Sequence, residues 1–199
     1  MKLTIPYQKD LCLSKEPTGM IDRFLWLDNG CTPKSGFHLC YNEKALKIRL
    51  FSDEYPRYIK AERDDGAIWE DHCMELFFAP FGKAEPYLNF ECNPKGYMII
   101  GFGKDRYDRK ILTKELKPRL QLKTAISDDR WEIEYIIPFE VLTPLYGKEF
   151  HPRSKTTVAL NLYVCGDRAE PPRYGAWNQI DLPEPDFHCP QFFGEGELE

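Results

Sequence analysis

The sequence predicts an all-β protein: a two-layer antiparallel β-sandwich of the immunoglobulin or jelly-roll kind, with a long ordered C-terminal loop. Three observations lead there. Short runs alternate apolar and polar residues with period two. Gly, Pro, Asn and Asp cluster between them, and helical periodicity is nearly absent. A chain of 199 residues suits one domain over 1–199, since sandwiches run to about 200–250 residues as single units.

In chain order, "ALKIRLFS" (45–52) sets Leu46, Ile48 and Leu50 against Lys47 and Arg49. "HCMELFFA", "YLNFECN", "GYMIIGFG", "LQLKTAIS", "RWEIEYIIPF" and "TVALNLYVC" read as further strands. The breaks between them are "APFGKAEP", "NPKG" and "SDDR". About ten strands joined by short turns must bury one face of each sheet against another. "PFEVLTPLYG" (138–147) reads as one short helix, and "PRYIKAERDD" (56–65) as a turn or two of helix at most. The stretch 169–196 holds five of the sixteen prolines together with several aromatics, so it reads as a loop packed over the sandwich.

Composition narrows the partners. Hydrophobic residues make up 42% and aromatics 14%, and the formal net charge is -5. No Lys/Arg cluster offers the positive face that nucleic acid or an anionic membrane needs. No apolar run near the start makes a signal or spanning helix. The seven cysteines (Cys12, Cys31, Cys40, Cys73, Cys92, Cys165 and Cys189) form no C-x-x-C pair. A reducing cytoplasm fits the chain as written; a secreted or periplasmic location would require a leader removed beforehand. The four histidines lack metal-ligand spacing, although His72–Cys73 and His188–Cys189 could contribute to a site from separate strands. "GFGKDR" has no following helix to make a phosphate loop.

Three stretches could carry chemistry. On the strand at 72–79, Cys73, Glu75 and Phe77 share the face opposite His72, Met74, Leu76 and Phe78. Glu75 among apolar residues needs either solvent or donors. In "YLNFECNPKGY", Asn89, Glu91 and Asn93 form a polar stripe that suits sugar hydroxyls and water equally. Glu132 and Glu134 read as a solvated face, with no sign of the separated environments a glycosidase pair requires.

"IWEDHCMELFF" with "NFECNPKG", "WEIEYIIPFEVL" and "AWNQIDLPEPDFHCPQFFGEGEL" together resemble carbohydrate-binding module family 9, a DOMON-like β-sandwich. The resemblance covers much of 67–199, and "DRFLW" and "ALKIRLF" are compatible with it. It implies a pocket in which two aromatic rings sandwich a sugar at a chain end. Trp69, six residues before Glu75, matches one ring, and Phe187 stands where binding members carry a tryptophan. Phe is a departure, with a smaller stacking face and no indole N–H. Glu75 matches the family's strand glutamate, whereas Asn89 and Glu91 match by neighbourhood. Arg173 is a candidate hydrogen-bond donor, and Trp177 is expected to pack the C-terminal loop onto the sandwich. Calcium is bound structurally in some relatives, with Asp64, Asp65 and Asp71 as oxygen donors near that region.

The function these readings imply is non-catalytic binding of a mono- or oligosaccharide by stacking and Glu/Asn hydrogen bonds, in the service of polysaccharide or glycan use. Two other classes stay open. One is a sandwich that has lost sugar binding and meets a protein partner through exposed aromatics. The other is a glycan-active enzyme, which needs two carboxylates converging in one cleft.

Overall fold

The computed structural model describes residues 1–199. The N-terminal strands are β1 (Lys2–Ile5), β2 (Gly19–Ile21), β3 (Arg23–Phe24), β4 (Ser35–Tyr41) and β5 (Ala45–Ser52). The centre holds β6 (Cys73–Ala79), β7 (Tyr87–Cys92), β8 (Met98–Gly103), β9 (Arg109–Ile111), β10 (Lys123–Ile126) and β11 (Trp131–Pro138). The chain ends with β12 (Thr157–Gly166), β13 (Arg173–Ala176) and β14 (Gly194–Leu198). Two short helices, α1 (Thr113–Leu116) and α2 (Thr143–Tyr146), are the only α-helical elements.

Two sheets face each other. The smaller runs β10-β11-β5-β4-β2, and the larger β1-β14-β12-β6-β7-β8-β9, with β13 pairing β12 and β3 pairing β13. Pairing is antiparallel except between β1 and β14, where the N-terminal strand closes an otherwise open edge. Alternation on β11 is strict: Trp131, Ile133, Tyr135 and Ile137 are buried, while Glu134 lies outward and pairs with Lys47 and Arg49 of neighbouring β5. These rings and branched chains meet Met74, Leu76 and Phe78 of β6 and Leu88 and Phe90 of β7 in the main core.

The other face of the larger sheet is covered as well. There Phe77, Tyr87, Tyr163 and Phe193 form a second core with Leu25 and Ile68. A sheet buried on both faces loses its polar alternation, which is why β6, β7 and most of β12 are buried at every position. The cover comes mainly from 169–196, as the sequence predicts, and Trp177 packs into the main core against Phe37 at a ring distance of 6.0 Å.

Three details differ from the sequence reading. The C-terminal stretch is not loop throughout, because Arg173–Ala176 pairs with Tyr163–Gly166 as β13. Residues 56–65 make no helix; their polar groups are taken up by Asp71, which accepts from the amides of Lys60 and Ala61 at 2.7 and 3.0 Å. The helix at α1 falls where no helix was expected.

Candidate functional site

The site is built on the outer face of the larger sheet, where β6, β7 and β12 lie side by side. Register puts Glu75 opposite Glu91 on one flank and opposite Tyr163 on the other, with Cys73 opposite Cys165. Opposed residues in such ladders have Cβ atoms about 4.5–5.5 Å apart, so two carboxyls and two thiols share one small patch. Above it opens a cavity of about 330 Å³.

Glu75 is buried, and its only close donor is the Cys165 thiol, 3.0 Å from Oε1; Cys73 Sγ stands at 4.0 Å from the same oxygen. No donor reaches Oε2, and no Lys, Arg or His pairs with this carboxyl. Burial, reinforced by the nearby charge of Glu91, raises its pKa well above the ordinary glutamate value. Glu91 is raised too by burial, against the pull of Arg109. It keeps a cation all the same: Arg109 donates to its Oε1 at 3.0 Å.

Asn89 completes this support. Its amide donates to Glu91 at 2.8 Å and its Oδ1 accepts from Arg109 at 3.1 Å. Asn89 is therefore a brace beneath the cavity and not part of its lining. Gly101 on β8 makes room for the brace, since a Cβ there would lie 2.4 Å from Asn89 Oδ1 and 3.1 Å from Arg109 Cδ.

Trp69 stands at the cavity, on a 3-10 turn (Ile68–Glu70) between Ala67 and Asp71. Ile68 is fully buried and anchors the turn, and the carbonyls of Trp69 and Glu70 accept from Asp167 and Arg168 at 3.1 Å each. The indole is left 40% exposed, a large apolar face offered to solvent from a fixed backbone.

Phe187 also lines the cavity, but one of its faces is taken. It stacks on Tyr163 with centroids 4.1 Å apart and planes 6° from parallel, while Trp26 and Tyr174 stand at 5.9 and 6.3 Å. His188 beside it meets the Tyr87 hydroxyl at 2.8 Å. Burial, helped by Arg109 and Arg106, pushes the His188 pKa down to about 3, so the ring is neutral near pH 7.

Sequence reasoning missed several of these groups. Arg106, Arg109, Asp167, Tyr174 and Asp186 line the cavity from the β8–β9 hairpin, the turn after β12, β13 and the C-terminal cover, and no local pattern joins those segments. Arg106 pairs with Asp186 at 3.1 Å. With Arg109 on Glu91, this leaves Glu75 and Asp167 without a cation.

Arg173 has a different place from the one the sequence suggests. Its side chain, 3% exposed, clasps Glu54 at 2.7–2.8 Å through Nη1 and meets His72 Nε2 at 3.2 Å through Nη2, so it is turned into the protein and does not line the cavity. Asn93 is structural too, bonded to Asp71 and to the amides of Lys95 and Tyr97. The aspartates put forward for calcium do not converge: Asp71 is held by amides and Asn93, Asp64 by Lys117 and the Met98 amide, and Asp65 by Thr113. The three do not gather into one cluster with ligand atoms within 4.8 Å of one another.

The model of carbohydrate-binding family 9 matches residues 8–198. The chain belongs to carbohydrate-binding family 9. Solved structures share its architecture over the whole chain. A proposed carbohydrate-binding protein of Bacteroides uniformis superposes with a TM-score of 0.82 at 23% identity, covering 100% of this chain and 99% of that one. A family 9 module of Caldicellulosiruptor kristjanssonii in complex with glucose gives 0.67 at 12% identity, covering 100% and 96%. The same module with cellotriose gives 0.68 at 13%, covering 100% and 94%. Among curated proteins none matches the sequence. No helix of this family 9 chain is long and apolar enough to cross a membrane.

Proposed function

We propose that the cavity above Glu75 and Glu91 binds a mono- or oligosaccharide without cleaving it. One observation carries the reading: a single 330 Å³ cavity brings the half-exposed ring of Trp69 together with carboxyls and guanidinium groups. A pyranose presents a C–H face that packs on an aromatic ring, and hydroxyls that need donors and acceptors at its rim. Trp69 supplies the stacking face. Glu75, through its free Oε2, accepts from one hydroxyl or donates to it when protonated, and Arg109 and Asp167 are the neighbouring donor and acceptor. Phe187, held against Tyr163, is a wall rather than the second jaw of a free clamp. Membership of a carbohydrate-binding family, and family 9 structures solved with glucose and cellotriose, support the reading.

The test is calorimetric titration of glucose, cellobiose and cellotriose into the native protein and Trp69→Ala. Affinity in the micromolar to millimolar range, about 4–8 kcal/mol, is the outcome for one stacked ring over a wet site. Saturation with no change in the variant would remove Trp69 from the account. The convergence of Glu75 and Glu91 also favours a second reading, glycan cleavage by a carboxyl pair. Incubation with aryl glycosides separates the two, since the binding account expects no released aglycone.

A further inference from the structure

The floor of the cavity holds two thiols that sugar binding leaves unused, beside the Oε1 side of Glu75. Cys73 on β6 and Cys165 on β12 are directly opposed, and Glu75 lies two residues beyond Cys73 on the same face. One ligand atom from each of the three lies within 4.8 Å of the others. All three are buried, both cysteines are free thiols, and Glu75 has no cation partner. Its Oε1 is turned to the two sulfurs, at 3.0 and 4.0 Å.

A buried carboxylate facing two thiols with no ion-pair partner is costly, and a bound cation removes that cost. The donor set selects the ion. Two sulfurs and one carboxylate oxygen suit a thiophilic divalent metal with tetrahedral preference, whereas calcium and magnesium take oxygen alone.

We propose that Cys73, Cys165 and Glu75 form a three-ligand site for a thiophilic divalent cation of the zinc class, with its fourth position opening into the cavity. Strand pairing sets the ligands in place before any metal arrives. Cys165 and Glu75 line the cavity, which provides the entry path and room for an exchangeable water or ligand oxygen. Each thiol enters coordination as a thiolate and gives its proton to solvent. Glu75 Oε2 stays free, so the site does not depend on whether a sugar enters above it.

Cadmium titration of the reduced full chain, followed by sulfur-to-cadmium charge-transfer absorption, tests the proposal. One ion per chain with the absorbance of two thiolates is expected, together with loss of at least about tenfold in affinity in Cys73→Ser and Cys165→Ser. Cys12→Ser/Cys31→Ser, which removes the two more accessible thiols, should bind as the native chain does. Should the serine variants fail to fold by circular dichroism, cadmium-113 NMR of the native protein still counts the sulfurs, and two are expected. No uptake overturns the proposal, as does uptake abolished only by the Cys12/Cys31 change or a resonance without two sulfurs.

Discussion

Arg109 is the side chain on which the candidate site most depends. It is the only cation on buried Glu91, and it also donates to Asn89. Removing one partner of a buried pair strands the other, at about 3–5 kcal/mol. Arg109→Ala should therefore lower the thermal midpoint by several degrees, and adding Glu91→Gln should recover part of the loss because no charge is then left alone. A double variant no more stable than the single one would mean the pair is not what Arg109 contributes. Phe187 is the second residue whose identity the structure explains. Tyr163, Trp26 and Tyr174 stand against the ring, so the larger indole has to displace one of them or reach into the cavity. Phe187→Trp should cost about 1–3 kcal/mol as an overpacked substitution, read by denaturant unfolding. An unchanged midpoint together with tighter sugar binding would show a vacant place for a second stacking ring.

At the level of elements, the β8–β9 hairpin delivers Arg109 onto Asn89 of β7 through the close approach at Gly101. Gly101→Ala drives a Cβ into Asn89, so it should weaken sugar binding about tenfold or more while β8 still pairs with β7. Titration of the folded variant checks this, and native affinity would show that Arg109 positioning is unimportant. The segment after β5 is tied down by Glu54, which clasps Arg173 of β13 and meets His72 at 3.6 Å. Burial pushes Glu54 up, but the neighbouring His72 ring and the Arg173 charge outweigh it, and its pKa lies below the ordinary 4.5. A depressed carboxyl contributes stability above its unfolded value that is lost as pH falls through the folded one. The gap in thermal midpoint between native protein and Glu54→Gln should thus be widest near neutrality and close progressively below about pH 4.5. A gap independent of pH would mean that Glu54 acts by shape rather than charge.

For the molecule as a whole, the strands with one polar face were legible in sequence. β5 and β11 announce themselves by alternation, and β6, β7, β8 and β12 by apolar runs between turns. β4 was harder, being buried along its whole length with no alternation to read, and β1, β3, β9 and β13 are short strands defined by their partners. The site divides along the same line. Glu75, Glu91 and Trp69 sit in one local stretch or on adjacent strands, and the family resemblance pointed to them. Arg109, Asp167 and Asp186 reach the cavity from segments far apart in the chain, and Cys165 meets Cys73 only because two strands pair. Arg173 shows the reverse: its residue type suited a ligand, and only the fold reveals Glu54 waiting for it.

The central claim is that Trp69 and the carboxyls beneath it make one sugar-binding cavity. Calorimetric titration of cellotriose into native protein and Trp69→Ala tests it most directly. Because the indole is 40% exposed, the variant should keep its fold, as circular dichroism would verify. The account predicts saturable binding by the native chain and a loss of about tenfold or more in the variant, the worth of one stacking contact. Equal affinities, or no heat from either protein, would contradict it.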